Sequence, residues 1–184
     1  MASSEPHPLE IEFSLSAREI LDVILRRNRC HINVRGAVAE YHLFRLLTSY
    51  RNDGLIDDFE DFDRNGYPDL AVPYRGRTFL IECKNVEKAK SESSRFTVDF
   101  QRTRNPIGRP QYRFYTPDEF HILAACLWNR TGRWEFAYVA TVDLPRHSSY
   151  PDRLSNRVAI PIENGRIVTP WSTNLLDILH RLST

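Results

Sequence analysis

Two acidic residues and a lysine stand at spacings that favour a metal site on a β-hairpin. Asp69 lies near the start of segment 67–74, and Glu82 and Lys84 lie near the end of segment 78–85. Both segments are rich in apolar and aromatic side chains, which predicts two strands. Because side chains alternate along a strand, Glu82 and Lys84 share one face. Carboxylates held close together repel unless a cation lies between them, and hard divalent cations prefer oxygen ligands.

The length of the turn between the two strands decides whether the acids meet. A two-residue loop at Arg75-Gly76 sets Asp69 directly opposite Glu82, with Cβ atoms about 5 Å apart. We therefore predict that both acids lie on one face of an antiparallel pair. Together they form half of a metal site, with Lys84 beside it. Cys83 points to the opposite face and belongs to the core.

A third acid lies on a helix that we predict over 35–50. Glu40 has Leu43 and Leu47 at the i+3 and i+7 positions, so it lies on a stripe that otherwise faces the core. A buried carboxylate without a partner is costly. In one interpretation Glu40 reaches solvent at the edge of the stripe or pairs with an arginine. Because the hairpin follows directly, we favour Glu40 as a third acid at the metal site.

The pair Pro68-Asp69, followed by Glu82-Cys83-Lys84, resembles the motif of the PD-(D/E)XK nuclease superfamily, the fold of many restriction endonucleases. The resemblance covers about 35–140. It implies an α/β (α+β) protein with a central mixed β-sheet flanked by helices. It also implies a place at the site for Gln101, because many members carry a glutamine some way after the lysine. For Gln101 an exposed strand face is an equal interpretation.

The same resemblance implies a chemistry, which is metal-dependent hydrolysis of DNA phosphodiester bonds by a restriction-type endonuclease. Asp69 and Glu82 would hold Mg²⁺, with Mn²⁺ as an alternative, and Glu40 would join them directly or through water. Lys84 would orient and activate the attacking water. The expected substrate is double-stranded DNA, and a two-fold dimer is expected because one site serves one strand. The alternatives are a noncatalytic nucleic-acid-binding or assembly module of the same fold, and a protein-interaction domain whose acids pair with arginines.

A basic segment follows the hairpin, although the formal net charge of the chain is only +1. Residues 101–113 contain four arginines and no acid: Arg102, Arg104, Arg109 and Arg113. Guanidinium groups are planar donors that suit phosphate oxygens and base edges. We therefore interpret this segment as the nucleic-acid-binding loop, and a solvated polar loop is the plain alternative.

The remaining patterns predict the elements around the site. A capping box at Ser16 and Glu19 opens a helix over 17–28. Strands are expected near 55–63, 68–74, 78–85 and 134–140, and segment 96–101 is either a further strand or the irregular end of the hairpin sheet. Helices are expected over 117–129 and 173–182, and a hairpin over 157–168 about Asn164-Gly165. A helix between strands indicates a crossover, so the sheet should be mixed.

Length and composition fit one nuclease-like domain over 1–184, with core about 35–140 and the N-terminal helix and C-terminal hairpin and helix as additions. Three cysteines without zinc or disulfide spacing predict a reduced, cytoplasmic setting. No window has the apolar length of a membrane span, so we expect no membrane contact. A Gly-rich nucleotide loop and a Gly-x-Ser-x-Gly elbow are both missing, which disfavours nucleotide and serine-hydrolase chemistry.

Overall fold

The computed structural model describes residues 5–62, 64, 66–88, 96–101 and 109–184. The chain forms two compact units, Met1–Val38 and Ala39–Thr184. The α-helices are α1 Pro8–Phe13, α2 Ala17–Arg26, α3 Asn28–Asn52, α4 Trp128–Thr131 and α5 Leu175–Ser183. The strands are β1 Glu60–Asp61, β2 Leu70–Tyr74, β3 Arg77–Asn85, β4 Phe96–Asp99, β5 Ile122–Cys126, β6 Phe136–Ala140, β7 Arg146–His147, β8 Tyr150–Leu154, β9 Arg157–Ile160, β10 Ile162–Glu163 and β11 Arg166–Ile167. The single domain over 1–184 stays a prediction.

The first unit consists of α1, α2 and the start of α3, and its helix starts are set by local hydrogen bonds. The backbone N–H of Ser16 donates to the Glu19 carboxylate over 2.8 Å, and the Ser16 side chain accepts from the Glu19 N–H. This confirms the predicted capping box. The helix ends at Arg26, two residues earlier than expected, and α3 begins at Asn28 rather than near 35. Neither α1 nor α2 contains a buried residue.

The second unit is built on a five-stranded sheet with the order β1-β2-β3-β5-β6. Its β2–β3 hairpin has the predicted two-residue turn, because Tyr74 pairs with Arg77 and Leu70 pairs with Ile81. Arg75 and Gly76 both have positive φ, 50° and 76°, which matches the twist of the flanking strands. The β3–β5 pair is parallel and the other pairs are antiparallel, which confirms a mixed sheet.

The predicted helix over 117–129 is wrong, because its central part is strand β5. The Thr116 N–H does donate to the Glu119 carboxylate over 2.8 Å, so the capping residues form a local turn. Every residue of Ile122–Cys126 is buried, however, and a central strand needs apolar side chains on both faces. The crossover between β3 and β5 therefore carries no α-helix among residues 86–88, 96–101 and 109–121.

The main sheet separates two apolar clusters, one on each face. On the first face, side chains such as Ile81 and Cys83 pack with α3 and α5, so the sheet is flanked by helices as expected and Cys83 belongs to the core. On the second face, Leu123 and Ala125 pack with residues of β4, β8 and β9. Residues that alternate along β3 therefore meet different partners, and Glu82 and Lys84 lie on the second face.

Shorter strand pairs complete the unit. β4 confirms the strand expected at 96–101, although it pairs with β9 outside the main sheet. The Asn164-Gly165 turn is confirmed between β10 and β11, so the predicted hairpin over 157–168 forms only in part. Of the strand expected near 55–63, the described residues form the short strand Glu60–Asp61, followed by a backbone hydrogen bond from the Phe62 N–H to the Asp69 carbonyl. The C-terminal helix is confirmed as α5. None of the helices in the described ranges has both the length and the apolar character of a membrane span.

Candidate active site

Asp69 precedes β2 at the open end of the hairpin, and two hydrogen bonds from backbone N–H groups fix its position. Its Oδ2 accepts a hydrogen bond from the backbone N–H of Cys83 over 2.6 Å. Its own carbonyl oxygen accepts from the N–H of Phe62 over 3.0 Å. β2 begins at the next residue, whose side chain enters the first face. The carboxylate is thus held against β3 on the second face.

Glu82 is a buried carboxylate in an apolar strand, with only 5% of its side chain exposed. Its register partner on β5 is Leu123, which is fully buried. A carboxylate in such surroundings requires hydrogen-bonded or charged partners. Two are present on Oε1: the hydroxyl of Tyr115 donates over 2.6 Å, and Nζ of Lys84 lies 2.5 Å away. These contacts offset part of the cost of burying the charge.

Lys84 lies among three oxygen atoms. Its Nζ donates to the carbonyl oxygen of Cys83 over 2.9 Å and lies 3.7 Å from Oδ2 of Asp69, in addition to its contact with Glu82. The two carboxylates therefore share one cation. The distance between Oε1 of Glu82 and Oδ2 of Asp69 cannot exceed the sum of their two distances to Nζ. The acids lie on one face, as the hairpin spacing predicts.

Burial and neighbouring charges shift the pKa values of Asp69, Lys84 and Tyr115. Burial raises the pKa of Asp69 to about 7; Lys84 opposes the shift, and the charges of Glu82 and Glu40 add to it. Burial works against the charge of Lys84, but the carboxylates of Glu82 and Asp69 together raise its pKa well above the ordinary value. Burial and the charge of Glu82 raise the pKa of Tyr115. Lys84 is therefore a cation and Tyr115 a neutral donor near neutral pH.

Glu40 and Gln101 lie at different distances from this centre. Glu40 is half-buried on α3, between the buried residues Ala39 and Leu43. Its negative charge contributes to the raised pKa of Asp69. Its role as a metal ligand stays a prediction. The amide of Gln101 donates to Asp99 over 3.3 Å, so these two side chains share a face, as expected. Its place in the catalytic group also stays a prediction.

The arginines of the basic segment are described only in part. Arg102 and Arg104 lie outside the described residues. Arg109 precedes the short 3-10 helix Pro110–Arg113, and its guanidinium lies 5.6 Å from the ring centre of Tyr112. Arg153 lies at the same distance from that ring. Arg113 ends the 3-10 helix, two residues before Tyr115.

Tyr115 is the site residue that sequence reasoning missed. It contacts Glu82 across 33 residues of chain. Its ring packs against those of Phe120 and Phe100, with centroids 5.4 and 6.1 Å away. No periodicity or local motif marks such a residue. The helix predicted over 117–129 gave no reason to place Tyr115 beside Glu82. The sequence feature that could have indicated Tyr115 is its position two residues after Arg113, the last arginine of the basic segment.

The donors around Lys84 are of one chemical type. Two carboxylates and a backbone carbonyl are hard oxygen donors, which Mg²⁺ and Ca²⁺ prefer. Within the described ranges, no three or more His, Cys, Asp or Glu side chains are grouped so as to hold a metal ion. A cation at this place would thus be held by Asp69, Glu82 and the carbonyl of Cys83, with further ligands from outside this group.

Comparison with solved structures finds a protein of similar fold. No family model matches the chain, and no curated protein matches it. The fold is similar to that of a bacterial homing endonuclease, I-Ssp6803I, with a TM-score of 0.48 and 16% sequence identity. The match covers 75% of this chain and 83% of that chain.

Proposed function

We propose that this protein is a Mg²⁺-dependent endonuclease that hydrolyses phosphodiester bonds of DNA. The observation that carries the proposal is the convergence of Asp69, Glu82 and the Cys83 carbonyl on the ammonium group of Lys84. These residues also carry the resemblance to the PD-(D/E)XK nucleases. A buried glutamate beside a second acid is costly to maintain, so the arrangement favours a role beyond structure.

The oxygen donors suit the proposed ion. Asp69, Glu82 and the carbonyl of Cys83 would hold Mg²⁺, and Glu40 would join them directly or through water. These oxygens already surround a positive charge, since Lys84 lies among them. When bound, the ion polarises a phosphoryl oxygen and lowers the pKa of a water molecule.

The residues of the candidate site have separate proposed roles. Lys84 keeps its proton between two carboxylates, so it donates hydrogen bonds, orients the attacking water and offsets the charge that develops on the phosphate. Tyr115 and Lys84 hold one oxygen of Glu82 and fix the direction of the other. The Cys83 N–H holds Asp69 in place. Positioning of this kind is a large part of catalysis at phosphates.

The basic segment supports a nucleic-acid substrate, and the resemblance to restriction endonucleases supports double-stranded DNA. Arg113 lies two residues from Tyr115, which itself contacts Glu82. The described end of the basic segment, 109–113, therefore comes shortly before the residue that contacts Glu82. We propose that Arg102, Arg104, Arg109 and Arg113 contact the phosphate backbone, and that a homodimer cuts both strands.

A noncatalytic nucleic-acid-binding module is the second candidate. The observation in its favour is the ion pair itself, because Lys84 at 2.5 Å compensates Glu82 without any metal. In that case the acids and the lysine stabilise the fold only. The two candidates differ in their need for a divalent cation.

Cleavage of supercoiled plasmid DNA with Mg²⁺ or with EDTA distinguishes them. The wild type should nick or linearise the plasmid with Mg²⁺ and not with EDTA, and Asp69→Asn should abolish cleavage. Asp152→Asn is a matched control, because Asp152 has 70% of its side chain exposed and pairs only with its neighbour Arg153 among the ion pairs of the described residues. Equal cleavage by Asp69→Asn and wild type would refute the proposal, and DNA binding without cleavage would support the second candidate.

A further inference from the structure

The first unit has an apolar surface that none of its own residues cover. Leu21 is 64% exposed and Leu25, one helical turn later, is 66% exposed. No residue of α1 or α2 is buried. The large apolar residues of this unit that face solvent are Leu9, Ile11, Phe13, Leu15, Leu21, Val23, Leu25 and Ile32.

This surface is too concentrated to be ordinary scatter. Single exposed apolar residues are common, but contiguous patches mark contact sites. A segment of fewer than about 40 residues cannot build a sufficient core by itself. In α2 the apolar residues recur at helical spacing, so they form a face rather than a ring. A partner surface is therefore needed to cover it.

The charges of the same segment are separated along the chain. Residues 5–22 contain five acids, Glu5, Glu10, Glu12, Glu19 and Asp22, and one arginine, Arg18. Residues 23–38 contain four arginines, Arg26, Arg27, Arg29 and Arg35, and no acid. Such a segment is complementary to a reversed copy of itself, since the acidic half of one faces the basic half of the other.

We propose that the first unit is a dimerisation element, in which α1, α2 and the start of α3 pack against the same segment of a second copy. A two-fold axis places identical patches against each other in reversed direction, so the apolar faces meet and both charge contacts are attractive. The inference names the contact surface of the homodimer proposed above, and it does not depend on the catalytic activity of the second unit.

Sedimentation equilibrium of the full chain tests the apolar part. The wild type should be a dimer, and Leu21→Asp combined with Leu25→Asp should raise the dimer dissociation constant by at least about a hundredfold, since central apolar contacts dominate interface affinity. Val142→Asp is the matched control, because Val142 is 79% exposed in the second unit. A monomeric wild type, or a dimer that tolerates the double substitution as well as the control, would overturn the proposal.

Charge reversal tests the direction of pairing without removing any apolar contact. One variant carries Arg26→Glu with Arg27→Glu, and a second carries Glu5→Lys with Glu12→Lys. Glu10 and Glu19 are kept because their carboxylates accept backbone hydrogen bonds at the helix starts. Each variant alone should dissociate more readily than wild type at low salt, and an equimolar mixture should form the mixed dimer. Variants that each dimerise as tightly as wild type, or more tightly, would contradict the reversed arrangement, because in a same-direction dimer these substitutions relieve repulsion between like charges.

Discussion

The hydroxyl of Tyr115 and the ammonium group of Lys84 meet on the same oxygen of Glu82, at 2.6 and 2.5 Å. One donor comes from β3 itself and the other from the end of the crossover. A carboxylate held on one oxygen from two directions has a defined orientation, so the direction of its second oxygen is also set. The geometry of this acid therefore depends on both strand and crossover.

Replacement of Tyr115 by phenylalanine should lower the free energy of unfolding by about 1–3 kcal/mol, because a hydrogen bond to a charged acceptor is lost while the ring packing remains. Chemical denaturation with urea measures this change. The control is Tyr41→Phe, because Tyr41 is 60% exposed, and we expect less than about 0.5 kcal/mol there. Equal stability of both variants would show that the Tyr115 hydroxyl is not needed to hold Glu82.

Replacement of Lys84 by alanine should abolish cleavage and also destabilise the protein by about 3–5 kcal/mol, because it leaves a buried carboxylate without its cation. The double variant Glu82→Gln with Lys84→Met should recover much of that stability and remain inactive. Thermal unfolding and plasmid cleavage measure the two effects separately. A Lys84→Ala protein as stable as wild type would mean that Glu82 finds another partner.

Stability should depend on pH through Asp69. Its pKa in the folded protein is about 7, above the ordinary value of 3.8, so the folded state binds the proton more tightly. The resulting stabilisation is fully present below the unfolded pKa and is lost as the pH rises through about 7. Without divalent ions, Asp69→Asn should therefore match wild type near pH 3.5, fall between the two limits at pH 5, and be more stable at pH 8, by up to a few kcal/mol.

Mg²⁺ should reverse that difference. The ion binds the ionised carboxylate, so it should raise the melting temperature of wild type at pH 8 and leave Asp69→Asn unchanged. Differential scanning fluorimetry with Mg²⁺ or Na⁺ at equal ionic strength measures this directly. A shift of equal size in both proteins would argue against Asp69 as a ligand.

The basic segment should contribute to DNA affinity in a salt-dependent manner. Each arginine that holds a phosphate should reduce the slope of log affinity against log salt by about 0.9 when it is replaced by alanine. An arginine that reads a guanine edge should instead relax preference at one base pair by about 1–3 kcal/mol. Fluorescence anisotropy over a salt series with single variants at positions 102, 104, 109 and 113 separates the two outcomes.

Arg133→Ala serves as the control for that series, because its side chain is 72% exposed and pairs with Glu135. Unchanged affinity and slope in all four test variants would identify the segment as ordinary solvated surface. DNA would then have to approach through other basic residues, such as Arg146, Arg153 and Arg157.

The hairpin and its two acids were predictable because their geometry is local. The Arg75-Gly76 turn fixes the register, and side-chain alternation then determines which residues share a face. The same holds for the capping box at Ser16 and Glu19 and for the turn at Asn164-Gly165, where residues close in sequence determine the local structure. Leu43 and Leu47 are buried as the helical spacing predicts.

Other features were not predictable because distant residues decide them. The turn at Thr116 is a sound helix start by local criteria, but Ile122–Cys126 pairs with β3 on one side and β6 on the other. Burial between two strands outweighs the local preference. Tyr115 reaches Glu82 only because that strand is placed there, so its role depends on the same long-range pairing.

The parallel pairing of β3 with β5 also has a consequence for the order of folding. The hairpin closes a loop of two residues, whereas β3 meets β5 only after some forty residues have been brought back, at a greater cost in chain entropy. During synthesis, Asp69 and Glu82 should therefore meet while Glu82 is still in water. Its burial against Tyr115 must wait until β5 has left the ribosome, so an incomplete chain has the acids but not the finished centre.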